Sequence, residues 1–525
     1  MSLKIGISGV RGIIGESLTT EVISDFAKAF GTFIGDRFIG IPTQKNKPVP
    51  TVLVGRDTRA SGEFVRKLVI DGLLATGCKV IDVGLAPTPT MLFAARNFKA
   101  AGAIIITASH NPAQWNGLKF VRPDGTFLTK GQADKLIAVY KSKKFRLPVN
   151  RKVVSFQPAP ARGFSVSSKK KNAITAHLDS VIKAVDIKAI KKAKFKIAVD
   201  YCNGTGAVTT PYLLKKLGCE VIAINSEPNG KFSHNPEPIS ENLKQLAEFV
   251  KKQKANIGFA QDPDADRLAI VSEKGLPIGE ENTLSLAVKH VLSSHIGDRF
   301  IPVHTQKHKP VPTVKPVPTV VVNLSTSRMV DDIAKEFGAV VLRSAVGETN
   351  VVDMMRKEGA IIGGEGNGGV IYPEINFGRD SFIGMALLLE YMAKSGKSIS
   401  QLVNSIKQYR IEKMKIEMPQ EKVPAVLERV KQAVSVSSPF THQPSPHRGE
   451  GCPERSEGGK GEGVRTNNVS PKISTIDGIK IDYLDGWVHV RGSNTEPVIR
   501  IMAEAQTSDA AKKYIDNIKK LILGT

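Results

Sequence analysis

The 525 residues are 41% hydrophobic and 24% charged, with a formal net charge of +24, enough chain for about three or four ordinary domains and too apolar for a disordered one. The four cysteines, Cys78, Cys202, Cys219 and Cys452, form no CxxC pair, which argues against a disulfide framework or a thiolate zinc site and for a reducing compartment. No signal-peptide pattern opens the chain and no apolar run reaches membrane-spanning length, so a soluble, cytoplasmic protein with no membrane partner is expected.

In chain order, Ile5 to Gly12 reads as a strand breaking into a glycine turn that exposes Arg11, a candidate for bidentate phosphate binding. Residues 19–33 carry a helical pattern, Thr51 to Val54 a strand, Ser61 to Thr76 a helix, Cys78 to Gly84 a strand, and Pro87 begins another helix. The alternation predicts a largely parallel sheet with ligands outside the carboxyl ends of its strands. Ala103 to Ile106 is a short apolar run leading into Thr107-Ala-Ser109-His110-Asn-Pro112. Ser109 therefore lies on a loop at a strand mouth, where it could carry a covalent intermediate or simply close a local turn. His110 is poorly placed to act as its base, because neighbouring side chains diverge. Lys141 to Lys171 holds ten basic residues and no acidic one, which reads as a solvated linker. No helix-turn-helix, RNP or zinc-finger pattern accompanies the basic excess. Small phosphorylated ligands are expected as partners, and nucleic acid is not.

After the linker, strands are predicted at Lys196 to Asp200, Glu220 to Ile224 and Asn256 to Ala260. The last runs into Asp262-Pro-Asp264-Ala-Asp266-Arg267 and a further strand from Leu268 to Val271. Three alternate carboxylates on one turn repel one another unless a hard divalent cation joins them. An EF-hand is excluded, because Arg267 stands where that loop needs glycine. Strands follow at Val320 to Asn323, Val340 to Arg343 and Ala360 to Ile362. The last leads into Gly364-Glu365-Gly-Asn367-Gly-Gly369, which formally matches a dinucleotide fingerprint. A strand-like Val370 to Pro373 follows where a helix is required, so that reading is rejected. A carboxylate and an amide on a bare loop suit neighbouring hydroxyl groups. A last unit from near Ile411 contains strands around Ile479 and Trp487 to Val490, then Arg491-Gly-Ser493-Asn494-Thr495-Glu-Pro-Val-Ile-Arg500, dense in phosphate donors.

These four motifs, in this order over nearly the whole chain, resemble those of the α-D-phosphohexomutases. The nearest likeness is to archaeal-type phosphoglucosamine mutases, with phosphomannomutase/phosphoglucomutase relatives next. The resemblance implies three related α/β domains with mixed sheets (1–155, 172–277 and 278–400) and a smaller α+β, TATA-binding-protein-like domain (408–525). It implies a phosphoserine at Ser109 and one Mg²⁺ per chain held by Asp262, Asp264, Asp266 and the Ser109 phosphoryl group. Arg11, His110, Lys119 and Arg267 match active-site residues, with Lys119 the proton-transfer group. Glu365 and Asn367 match the sugar loop, and Arg491, Ser493, Asn494, Thr495 and Arg500 the phosphate loop. Many relatives end the sugar loop in Ser-Gly-His where this chain has Asn367-Gly368-Gly369, so their sugar preference does not carry over.

The implied activity is the interconversion of glucosamine 6-phosphate and glucosamine 1-phosphate through a 1,6-bisphosphate, which also serves as catalytic activator. Mannose or glucose phosphates are the alternative substrates, and the enzyme is expected as a monomer or homodimer. A serine hydrolase would need a G-x-S-x-G elbow that Ser109 lacks. A non-catalytic sugar-phosphate binder would not need the three aspartates. Ile34-Gly-Asp-Arg-Phe38 recurs as Ile296 to Phe300, and Thr43 to Val52 as Thr305 to Val314, with 437–468 a third excess segment rich in Gly, Pro and Ser. Surface insertions are expected there, with a shared docking motif as the alternative.

Overall fold

The computed structural model describes residues 3–7, 9–39, 49–146, 156–157, 173–297, 317–436, 471–493 and 497–524. Most of the three excess segments, together with Cys452, Asn494 and Thr495, lies outside the described residues. The chain divides into a large unit, residues 1–408, and a small one, residues 409–525.

The large unit holds three sheets among the described residues. The first contains β1 (Lys4–Gly6), β2 (Gly9–Ile13), β3 (Thr51–Arg56), β4 (Lys79–Leu85), β5 (Gly102–Ile106), β6 (Trp115–Val121) and β7 (Phe156–Gln157), ordered β1-β2-β6-β5-β3-β4-β7. Its period-2 pattern explains its layers. Ile104 and Ile106 of β5 face one core with Val52, Val54 and the helix residues Phe26 and Phe30. Ala103 and Ile105 face another with Leu53, Met91 and Leu92. A strand buried on both faces reads as an unbroken apolar run.

The sheet is mixed rather than largely parallel, which corrects the first expectation. β5, β3, β4 and β7 pair in parallel, whereas β1, β2 and β6 pair antiparallel, as do β6 and β5. The links from β1 to β2 and from β5 to β6 are too short for a crossover, so those chains must reverse.

The second sheet comprises β8 (Lys196–Asp200), β9 (Glu220–Ile224), β10 (Ile257–Gln261) and β11 (Leu268–Ser272), ordered β11-β10-β8-β9. The third comprises β12 (Thr319–Asn323), β13 (Val340–Ser344), β14 (Ile362–Glu365) and β15 (Gly369–Ile371), ordered β13-β12-β14-β15. In each sheet one parallel strand ends in a motif loop and reverses into an antiparallel neighbour. The pairs are β5 with β6, β10 with β11, and β14 with β15. The three motif loops are therefore the same topological position repeated three times. The hairpin after Glu365 also confirms that no helix follows the glycine loop.

The small unit contains β16 (Arg410–Glu417), β17 (Lys472–Ser474), β18 (Ile479–Asp482), β19 (Gly486–Gly492) and β20 (Val498–Ala505), all antiparallel in the order β16-β20-β19-β18-β17. Helices Val423–Val436 and Ser508–Leu523 share one core with alternate strand residues Ile479, Ile481, Val488, Val490, Ile499 and Ile501. This is an α+β layer with helices on one face of the sheet.

Candidate active site

Ser109 leaves β5 in a left-handed backbone conformation, φ +52°, a region a non-glycine residue occupies only when its surroundings hold it there. Arg59 supplies that hold. Its Nη2 donates to the carbonyls of Ser109 and Asn111 at 2.6 Å each, and its Nη1 to those of Pro112 and Trp115 at 2.6 and 3.0 Å. The fifth donor, Nε, reaches Asp57 Oδ2 at 3.0 Å, and the Phe232 ring covers the guanidinium. Asp57 Oδ2 also accepts from Thr107 Oγ at 2.6 Å, and Thr107 Oγ accepts from the Ser109 N–H at 2.9 Å. Burial pushes the Asp57 carboxyl up, with Arg59 and Thr107 working against that.

The left-handed turn overturns one expectation. His110 Nδ1 lies 3.4 Å from Ser109 Oγ, because the turn makes the two side chains converge. Burial, with Arg267 and Arg11 beside it, pushes the His110 imidazole down to about 2. It is therefore a neutral ring at the serine.

The turn between β10 and β11 places Asp262, Asp264 and Asp266 together, fully buried, with one oxygen from each within 4.8 Å of the others. Asp262 Oδ1 caps the turn by accepting from the N–H groups of Asp266 and Arg267, 3.1 Å each, while Oδ2 accepts from Ser109 Oγ at 3.2 Å. Asp264 Oδ2 accepts from Thr88 Oγ at 2.6 Å and from Lys119 Nζ at 2.7 Å. Among the described residues, Asp264 Oδ1 and Asp266 Oδ1 are buried with no hydrogen-bond partner. Orphaned carboxylate oxygens in an all-oxygen set fit a hard divalent cation, whose ligands they would become. Burial and the neighbouring aspartates drive the Asp262 carboxyl up. At Asp264 burial is outweighed by Lys119 and the Thr88 hydroxyl, which pull it down. Burial works against the Lys119 ammonium, yet Asp264 and Asp266 more than reverse it and hold that proton tightly.

Glu365, at the end of β14, is buried and engaged on both oxygens. Oε1 accepts from Asn323 Nδ2 at 2.9 Å and from the Gly347 N–H at 3.2 Å; Oε2 accepts from Arg379 Nη1 at 2.9 Å and Asn367 Nδ2 at 3.5 Å. Arg379 Nη2 reaches Asp266 Oδ2 at 2.8 Å. The two loops also meet directly, the Leu268 N–H donating to the Gly368 carbonyl at 3.1 Å. Arg11 Nη1 donates to Asn111 Oδ1 at 3.4 Å. Burial and the nearby Arg267 and Arg379 push the Arg11 guanidinium down, opposed by Asp264 and Asp266. Arg267 Nη1 lies 3.6 Å from Glu237 Oε1, and its buried Nε has no hydrogen-bond partner among the described residues. Both arginines are suited to an incoming anion.

The structure thus gathers Ser109, His110, Lys119, the three aspartates, Arg11 and Arg267 around one point, with Glu365 and Asn367 joined to it through Arg379. In the small unit Arg491 pairs in register with Arg500, and Arg500 with Lys415 across the next strand. Ser493 is buried at the end of β19, its N–H donating to the Val498 carbonyl at 2.9 Å, while Asn494 and Thr495 lie outside the described residues. Sequence reasoning missed Asp57, Arg59, Thr88, Asn323, Glu348 and Arg379. The Arg56-Asp57-Thr58-Arg59 turn carried a signal, being polar and charged at the carboxyl end of a predicted strand. Arg379 carried none, since its partners lie far along the chain.

Residues 2–147, 175–275 and 290–409 match the models of the phosphoglucomutase/phosphomannomutase α/β/α domains I, II and III, and residues 414–521 match the C-terminal domain model. A phosphoglucomutase/phosphomannomutase of Thermococcus kodakarensis is 35% identical, covering 99% of each chain. A phosphoglucosamine/phosphogalactosamine mutase of Sulfurisphaera tokodaii is 30% identical over the whole of both chains. The crystal structure of a phosphoglucomutase/phosphomannomutase family protein from Burkholderia thailandensis superposes with a TM-score of 0.74 at 24% identity, covering 99% of this chain and 96% of that one. The chain belongs to the phosphoglucomutase/phosphomannomutase family, the α-D-phosphohexomutases, and with that family it is an isomerase that moves phosphoryl groups. No helix among the described residues is long and apolar enough to cross a membrane.

Proposed function

We propose that the protein interconverts glucosamine 6-phosphate and glucosamine 1-phosphate through a phosphoserine at Ser109. The observation that carries the phosphoserine reading is the Ser109 hydroxyl against Asp262, within a three-carboxylate set that has two orphaned oxygens. Asp262, Asp264 and Asp266, with a phosphoryl oxygen on Ser109, would hold Mg²⁺. When bound, that ion supplies charge neutralisation at the transferring phosphoryl group.

The chain's own residues do the rest. A sugar hydroxyl attacks the phosphorus on Ser109; the bond to Ser109 Oγ breaks as the bond to the sugar oxygen forms, leaving a 1,6-bisphosphate. Lys119, held protonated between Asp264 and Asp266, gives its proton to the leaving serine oxygen and recovers one from the attacking hydroxyl. Neutral His110 stays within hydrogen-bonding reach of that oxygen. Arg11 and Arg267 balance charge on the phosphoryl oxygens. Glu365 and Asn367 orient the sugar hydroxyls, and reversal of the bisphosphate returns its other phosphate to Ser109. In the small unit, anion binding is assigned to Arg491, Ser493, Asn494, Thr495 and Arg500, a reading supported by the Arg491, Arg500 and Lys415 alignment.

The relative named as acting on phosphoglucosamine supports the hexosamine. The pairing of Glu365 with Arg379 favours a second reading, a phosphomannomutase or phosphoglucomutase, because a carboxylate already paired with a guanidinium gains less from a sugar ammonium. A coupled assay with a catalytic amount of a hexose 1,6-bisphosphate, comparing kcat/KM for glucosamine, glucose and mannose 6-phosphates, decides between them. The first reading expects glucosamine phosphate to lead; a lead for glucose or mannose phosphate establishes the second.

A further inference from the structure

Gly369 opens β15, directly after the Glu365 loop. A Cβ built at Gly369 would lie 2.3 Å from Arg379 Cδ and 2.8 Å from its Cγ. The stem of Arg379 thus passes through the space a side chain at 369 would fill. Its head is buried among three carboxylates on three separate elements. Nη1 is 2.9 Å from Glu365 Oε2, Nη2 is 2.8 Å from Asp266 Oδ2, and Nε is 3.2 Å from Glu348 Oε2. The Arg379 N–H also donates to Glu348 Oε1 at 2.9 Å, fixing backbone as well as head. The next residue, Asp380, caps the helix Ser381–Ser395 and binds His177 Nε2 at 2.8 Å, so the residue is anchored from both directions.

We infer that Arg379 is a positioning residue that occupies the space left by Gly369 and ties the sugar-recognition carboxylate Glu365 to the metal loop at Asp266. A planar guanidinium with separate donors can serve two carboxylates at once, which a lysine ammonium of shorter reach cannot reproduce. Two consequences have opposite signs. Without Arg379, Glu365 Oε2 keeps only the long contact from Asn367 and the carboxylate plane is held through Oε1 alone, so sugar binding weakens. The same loss removes a cation that competes for Asp266, so divalent-metal binding does not weaken. A merely structural salt bridge would weaken both.

This inference rests on the proposed reading of the aspartates as a metal site and of Glu365 as a sugar group, and the test separates the two. Mn²⁺ alone is titrated calorimetrically into the parent, Arg379→Gln, Arg379→Lys and Gly369→Ala, and KM for the preferred hexose 6-phosphate is measured at saturating Mg²⁺. Gly369→Ala crowds the Arg379 stem without deleting it, and Gly369 is outside the left-handed region, so the added Cβ meets chiefly that side chain. Expected are KM raised about tenfold or more in both Arg379→Gln and Gly369→Ala, a smaller kcat change, partial recovery in Arg379→Lys, and Mn²⁺ affinity equal to or tighter than the parent's. Mn²⁺ affinity falling about tenfold together with KM, or KM unchanged in Gly369→Ala and Arg379→Lys, overturns the inference. If Arg379→Gln does not fold, those latter two variants decide alone. A parent that binds no Mn²⁺ defeats the metal-site reading itself, before any variant is compared.

Discussion

Ser109 Oγ lies 3.2 Å from Asp262 Oδ2, although the two residues are 153 positions apart and end strands of different sheets. Both strands stop at the carboxyl end of a parallel pair and reverse at once into an antiparallel neighbour. The third such loop carries Glu365. A device repeated in three sheets thus presents Ser109, the three aspartates and Glu365 from three loops of equivalent topology.

The Ser109 contact leads to a first prediction. Ser109→Ala removes the proposed phosphoryl carrier while Arg59 still holds the loop through backbone carbonyls. Circular dichroism should match the parent, and mutase turnover should fall by several orders of magnitude. Near-parental turnover would refute the phosphoserine assignment.

Arg59 is next. Arg59→Lys keeps a charge beside Asp57 but cannot serve four carbonyls, so Ser109 should drift from its left-handed turn and kcat should fall by about 10²-fold, the cost of roughly 1 Å of misplacement. Arg59→Met also strands the buried Asp57 carboxylate and should cost about 3–5 kcal/mol in a denaturant titration. A Lys variant with parental kcat would show that the loop holds itself.

How far the site was legible depends on the range of each interaction. The aspartate turn and the Ser109 loop were readable because their chemistry is packed into a few consecutive residues following an apolar strand. His110 was misjudged because divergence of neighbours assumes ordinary backbone angles, and φ +52° at Ser109 breaks that assumption. The mixed character of the first sheet, which the family resemblance implies, follows from the short β5 to β6 link; the alternation of strands and helices alone does not reveal it. Arg379 was invisible because its meaning lies in Asp266 and Glu365, separated from it by 113 and 14 positions, and in the missing side chain at Gly369.

Acid should unfold the large unit partly through Glu390. Burial works against its ionisation, but hydrogen bonds from His290 Nε2 at 2.8 Å, Lys394, and the Asp186 N–H at 3.0 Å hold it down to about 2, against 4.5 for an unperturbed glutamate. A depressed carboxyl stabilises fully above its unfolded value and loses that contribution as pH falls, here from about 4.5 towards 2. Urea titrations at pH 7, 4.5 and 3 should therefore show the parent losing more stability across that window than Glu390→Gln, which is less stable at pH 7 and flatter below it. Equal slopes would rule out this pair as an acid-sensitive contact.

Metal removal should act on stability as well as turnover. Ligands that bind only the folded chain raise its melting temperature by mass action, so Mg²⁺ or Mn²⁺ should raise Tm of the parent and leave that of Asp264→Asn/Asp266→Asn nearly unchanged. Chelation should abolish turnover, and Mg²⁺ should restore it. An equal Tm rise in the double variant would place the binding elsewhere.

The central claim is that Ser109 carries the phosphoryl group between the two ends of the sugar. The most direct measurement is intact-protein and peptide mass spectrometry after brief incubation with a hexose 1,6-bisphosphate, then after excess hexose 6-phosphate. The account predicts one phosphoryl group, on Ser109, gained in the first step, discharged in the second, and absent throughout in Ser109→Ala. Turnover with no phosphoryl group ever found on Ser109, or with one found on another residue and discharged at the catalytic rate, would contradict it.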